Sequence, residues 1–153
     1  MTRGRSTELP GAIGVWRRML ETHAGLVDAL ETRFRADHGL TATEFDVLVN
    51  IPSTTTIRHR ELLDEIVLSR SALSRLLRRL ETRGLVCQSA DSADQRGVCV
   101  ALTPEGLRLK RDSARTNADV VRAAFSALTE DNLGELLRLI DRIHPQPTEP
   151  IEQ

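Results

Sequence analysis

The chain has 153 residues, 40% apolar and 28% charged, enough for one hydrophobic core but not for two independent ones, so it reads as a single domain. Aromatic residues make up only 3%, which leaves the core to Leu, Val, Ile and Ala and points to helices. The formal net charge of −1 excludes a uniformly basic protein, so any affinity for nucleic acid has to come from where the charges sit.

The first helix is predicted over residues 12–37, where Trp16, Met19, Leu20, His23, Leu26, Val27, Leu30 and Phe34 recur at three-four spacing. Thr41 opens T-A-T-E, a capping box in which Glu44 reaches back, and Phe45, Leu48 and Val49 supply the buried stripe of a second helix that Pro52 ends. Residues 52–57 are Ser/Thr-rich and read as a loop, with room for a short extended piece at 56–58. A compact third helix is expected over 60–66. Ser69 then caps a fourth that runs to Arg83 and stops at Gly84, a residue able to take a left-handed backbone.

Residues 85–89 and 98–102 are β-prone and flank the polar, turn-rich segment 90–97, the pattern of an antiparallel hairpin. Thr103-Pro104-Glu105 is a strong helix start, with a capping hydroxyl, a proline in the first turn and an acid at the positive end of the dipole. In the long helix that follows, Leu107, Ala114, Ala118, Val121, Phe125 and Leu128 mark a stripe suited to lengthwise packing on another helix. Thr129 caps a sixth, with Leu133, Leu136, Leu137, Ile140 and Ile143 on one side; the tail from Pro145 is expected to fray. The fold class is therefore mainly α with a small β-hairpin.

One helix carries the strongest functional signal. On a helical wheel Leu73, Leu76, Leu77 and Leu80 share a narrow arc, and Ser71, Ser74, Arg75, Arg78 and Thr82 cluster opposite. Segment 69–83 holds five arginines (Arg70, Arg75, Arg78, Arg79, Arg83) against Glu81 alone, a local charge of +4 within a nearly neutral protein. A solvated arginine face is the plain alternative. A short helix, a capped turn and a second helix with Ser and Arg near its start fit helix-turn-helix docking, in which the recognition helix meets base edges with its N-terminal residues.

The order G-L-V at 84–86, D-S-A-D-Q-R-G at 91–97 and L-T-P-E-G at 102–106 resembles the MarR family of bacterial winged-helix transcriptional regulators. The likeness runs by element order over residues 15–143, with its specific motifs confined to 69–106. It implies a homodimer in which helical regions 12–37 and 104–144 interlock and two winged helix-turn-helix lobes, residues 41–103, read a palindromic operator in double-stranded DNA. Carried over by position, Ser69, Arg70, Ser71, Ser74 and Arg75 would enter the major groove, with Arg78 near the backbone. Arg96 would be the wing arginine in the minor groove, where a narrow groove attracts a guanidinium, and Asp94 the acid that holds it. Alternatively Asp94 and Arg96 pair only to shape the turn. The sequence departs from the family pattern at Arg60, where a capping Ser or Thr is common, and at Leu63, where a small residue is common.

The resemblance also implies a repressor that a small phenolic or carboxylic effector releases from DNA. Trp16 and Asp46 resemble positions that urate-responsive members use, although Trp16 also lies on the apolar stripe, where core or dimer packing is the simpler reading. An effector-independent DNA-binding or protein-docking module is the competing class. No nucleophile-base pair suggests an enzyme. Cys87 and Cys99 fit no zinc spacing or disulfide framework. They lie on opposite strands of one hairpin, which raises a redox switch, but they read more simply as small buried fillers. His23, His38, His59 and His144 are scattered, with His23 read as a core or interface residue, so no metal or cofactor is expected. No apolar run approaches spanning length and the basic start lacks an apolar signal core, which together predict a cytoplasmic protein without membrane association.

Overall fold

The computed structural model describes residues 11–94 and 97–144, and the expected frayed tail lies outside them. The elements run α1 (Gly11–His38), α2 (Ala42–Asn50), β1 (Ile57–Arg58), α3 (His59–Glu65), α4 (Arg70–Thr82), β2 (Val86–Ala90), β3 (Val98–Leu102), α5 (Pro104–Ala124) and α6 (Glu130–Asp141). The sheet is antiparallel in the order β1-β3-β2, with Ile57 opposite Val100 on one side and Val86 opposite Leu102 on the other. The extended piece at 56–58 thus becomes a third strand, and the hairpin's returning strand is the centre of the sheet.

Capping sets most of the helix ends. Thr41 Oγ1 accepts the Glu44 N–H and Glu44 Oε2 accepts the Thr41 N–H, both at 3.0 Å, closing the capping box of α2. The Glu31 carboxylate of α1 also accepts the Ala42 N–H, and this contact, ahead of its pairing with Arg35, holds the Glu31 pKa below its ordinary value against a smaller opposing effect of burial. At the other end of α2, Lys110 of α5 donates to the Ile51 carbonyl at 2.6 Å, and burial lowers the pKa of this sole lysine. α3 begins one residue earlier than predicted. Its N-cap is Arg58, whose backbone N–H donates to Glu61 Oε2 at 3.1 Å, while among the described residues no side chain accepts from the first-turn N–H groups, the place a capping hydroxyl would fill.

The core gathers Leu73, Leu76, Leu77 and Leu80 of α4 with Val47 and Leu48 of α2, Leu62 of α3, and Val86 and Val100 of the sheet. Phe34 near the end of α1 and Leu109 in the second turn of α5 belong to the same cluster, so both long helices are rooted in it. Each buried leucine contributes about 1.5–3 kcal/mol of transfer free energy, which makes the apolar face of α4 a main fastener of the fold.

The long helices are covered unevenly. On α1 only Phe34 of the predicted stripe is fully buried, while Trp16, Leu20, His23 and Val27 are exposed, so His23 is not a core residue of the single chain. The buried positions along α5 are Gly106, Leu109, Ser113 and Thr116 rather than the predicted stripe, most of which is half-buried. Small polar residues suffice on that line because Ser113 returns its hydroxyl to the Leu109 carbonyl at 2.6 Å and Thr116 meets His38 Nε2 at 2.8 Å. α6 buries nothing, and Leu136, Leu137, Leu139 and Ile140 stand exposed along it.

Candidate nucleic-acid interface

Ser69 starts α4 by accepting the Ala72 N–H on its hydroxyl at 3.2 Å, and that hydroxyl also meets Ser71 Oγ at 3.2 Å. Four leucines then draw one face of α4 inward, which turns Ser71, Arg75 and Arg78 outward. Ser69, Arg70, Ser71, Ser74, Arg75 and Arg78 together line one shallow, open concavity of about 810 Å³. Six of the eight residues expected at DNA are therefore neighbours on one trough. The seventh, Asp94, is exposed on the wing, where its carbonyl accepts the Gly97 N–H at 2.8 Å. The eighth, Arg96, lies outside the described residues.

The local charge of α4 is distributed differently from the sequence count. Arg83 turns back into the fold, where Nη1 donates to buried Glu44 at 3.2 Å and Nη2 to the Gly39 carbonyl at 3.0 Å. Glu81 is occupied as well, accepting both the backbone N–H and the side-chain amide of Gln88 on β2 at 2.8 and 2.9 Å. Arg70, Arg75, Arg78 and Arg79 make no ion pair among the described residues, so the outward face of α4 carries four uncompensated cations, with Glu81 held at its far end against β2. Water-exposed guanidinium groups beside small hydroxyls suit close approach to a polyanion and bidentate contact with phosphate or a guanine edge.

Gly84, at φ +71°, ends α4 with a pair of returning bonds, its own N–H to the Glu81 carbonyl and Leu85 N–H to the Leu80 carbonyl, at 2.8 and 2.9 Å. Thr103 fastens the same corner from the far side of the hairpin. Its hydroxyl donates to the Gly84 carbonyl at 2.6 Å and accepts the Gly106 N–H at 3.0 Å, so one side chain joins the end of α4 to the start of α5. Gly106 packs so closely that a Cβ there would lie 1.8 Å from the Leu85 carbonyl oxygen.

The wing root contains a contact that the sequence reading missed. Arg58 Nε lies 2.6 Å from Oδ2 of Asp91, and Asp91 Oδ1 accepts the Ala93 N–H at 2.9 Å. That backbone bond, followed by the Arg58 guanidinium, outweighs burial and holds the Asp91 carboxyl below the usual aspartate range. Opposite charges at 58 and 91 were the available signal, but nothing in the sequence distinguishes this pair from the many others possible across 33 positions.

The candidate effector residues are apart from this site. Trp16 is 57% exposed near the start of α1. Asp46 is on the outer side of α2, its backbone carbonyl accepting from Asn50 Nδ2 at 2.9 Å and its pKa raised by partial desolvation. Neither lines the trough on α4 or the second, smaller concavity at the wing root. The two cysteines are free; Cys87 faces Ala101 and Cys99 faces Ser89, so they sit on a diagonal rather than opposite. Cys87 is exposed, because strand alternation buries its neighbour Val86 instead, and the buried-filler reading fails for it. No described helix is long and apolar enough to cross a membrane.

Two short helices around a capped turn, an outward cationic helix face and a three-stranded sheet ending in a hairpin loop define a winged helix-turn-helix. Residues 40–98 match the MarR family model. The multiple antibiotic resistance protein MarR of Salmonella typhimurium is 31% identical over 119 residues, covering 77% of this chain and 83% of its own length. Sco3205, a MarR family transcriptional regulator from Streptomyces coelicolor solved in complex with DNA, superposes with a TM-score of 0.72 at 30% identity, over 90% of this chain and 91% of that one. A mutant MarR from E. coli, complexed with operator DNA, gives 0.77 at 26% identity, over 87% and 95%. The chain belongs to the MarR family of DNA-binding transcriptional regulators.

Proposed function

We propose that the protein is a homodimeric repressor that occupies a palindromic operator, with α4 of each copy in a major groove and each wing in the adjacent minor groove. The observation that carries the DNA contact is the trough on α4, lined by Ser69, Arg70, Ser71, Ser74, Arg75 and Arg78. Asp94 and Arg96 are the wing residues of this reading. The exposed apolar faces of α1 and α6 support the homodimer, since a second copy would remove both from water; regions 12–37 and 104–144 would form its arms and 41–103 the reading lobe. The cytoplasm is where such a protein would meet its operator.

Release by a small phenolic or carboxylic effector is the part of the reading that rests on family likeness, with Trp16 and Asp46 as candidate contacts. An effector-independent DNA-binding or protein-docking module is the second reading. Footprinting on the region upstream of the protein's own gene tests both. Two protected half-sites about one helical turn apart are expected, lost on adding a small aromatic acid or phenol. A random protection pattern would exclude sequence-specific binding, and a footprint indifferent to such compounds would favour the second reading.

A further inference from the structure

A wing loop has little core of its own, so where its tip reaches depends on how its root is held. Here the root is gripped from outside the hairpin. The Arg58 guanidinium lies between two acids, with Nε 2.6 Å from Asp91 Oδ2, an ion pair without hydrogen-bond geometry, and Nη1 3.7 Å from Glu61 Oε1 on α3. Asp91 is only 8% exposed, and its other oxygen is committed to the Ala93 N–H. Its backbone N–H extends the ladder to the Gly97 carbonyl at 2.9 Å, and Gly97 lies so close that a Cβ there would come within 2.9 Å of Asp91 Cβ. One residue further on, His59 Nε2 meets Gln88 Oε1 at 2.9 Å, and Gln88 in turn donates twice to Glu81 of α4. Successive residues 58 and 59 therefore reach the end and the middle of β2, and the second line of contacts finishes on α4 itself.

We propose that Arg58 and Asp91 are positioning residues for the wing: their ion pair sets the direction in which the chain leaves the sheet at Asp91, and so where the wing meets DNA relative to α4. The inference rests on the DNA-binding reading above and deepens it. Neither residue is assigned a contact with DNA. The sign of one substitution separates this role from a plain charge effect. Asp91→Asn keeps an oxygen for the Ala93 N–H but removes a negative charge, so an electrostatic role alone predicts tighter binding to a polyanion. A positioning role predicts weaker binding.

The test uses the full-length protein and a duplex that it enriches from a random-sequence library, read by affinity and hydroxyl-radical footprint. Wild type is expected to protect the half-site centres and their flanking minor grooves. Asp91→Asn and Arg58→Gln should each bind roughly tenfold more weakly and lose the flanking protection while keeping the centres. The double variant should bind no more weakly than the weaker single one, as expected for residues acting through one contact. An Asp91→Asn protein that binds as tightly or more tightly with unchanged flanks overturns the proposal, as does a uniform loss at centres and flanks. Should Asp91→Asn unfold, Arg58→Lys takes its place: charge is kept but the fork is lost, selective flank loss is expected, and a wild-type footprint overturns the proposal. Wild-type protection of centres without flanks would overturn the clamp together with the wing, and absence of protected centres would overturn the DNA reading beneath both, so the wild-type lane distinguishes these failures.

Discussion

Arg75 and Arg83 sit on the same helix with the same charge, yet one faces solvent on the trough and the other is spent on Glu44 and Gly39. The difference comes from tertiary contacts. On the helical wheel Arg75 lies opposite the leucines whereas Arg83 falls at the edge of their arc, beside Leu76, and its partner is 39 positions away and buried. The chemistry of the trough was legible because four leucines at 73, 76, 77 and 80 leave no choice about which side turns out. Its exact set of free cations was not legible, nor was the grip of Arg58 on Asp91, since long-range ion pairs leave no periodicity. Arg75→Ala should weaken operator binding by about 1–3 kcal/mol if its fork reads a base, with the largest loss at one position of the half-site. Binding titrations against single-base variants of the operator check this; equal losses at every position would instead assign Arg75 to the phosphates.

Elements with chemical punctuation were the ones the sequence specified well. The Thr41–Glu44 box, the Ser69 cap, the Gly84 stop and the Thr103 start all occur where hydroxyls, a carboxylate and a glycine demanded them. β1 is two residues long, too short for any alternation, and its pairing with β3 emerges only from the fold. The buried line of α5 escaped notice for a related reason, because Ser113 and Thr116 are polar in sequence and become core-like only once their hydroxyls are satisfied. Gly106 looked like part of a motif, and the Leu85 backbone explains why it must be glycine. Gly106→Ala should destabilise the fold by about 3 kcal/mol, since backbone would have to move to admit the methyl. Denaturant unfolding monitored by circular dichroism measures this, and a change within about 0.5 kcal/mol, the size expected at a surface site, would show that the seam is slack.

The homodimer proposed above would cover the apolar residues that α1 and α6 leave exposed in the single chain. Leu137, 62% exposed in a helix that buries nothing, is the position to question. Leu137→Asp should convert a sedimenting dimer to monomer at micromolar concentration, keep the helical signal of the lobe, and lower operator affinity by about 10²-fold through loss of paired engagement. A dimer that survives would mean that α6 is not its seam. The tight corner of Gly84, Leu85, Thr103 and Gly106 then gains a mechanical meaning. A joint with no space for a methyl group cannot swivel, so α5, 21 residues and about 30 Å long, moves with its lobe as a stiff lever. A tilt of about 10° at one end displaces the other by roughly 5 Å, more than the ~3.4 Å rise of a base pair, so a small slip between two such levers would put their reading heads out of phase with the DNA.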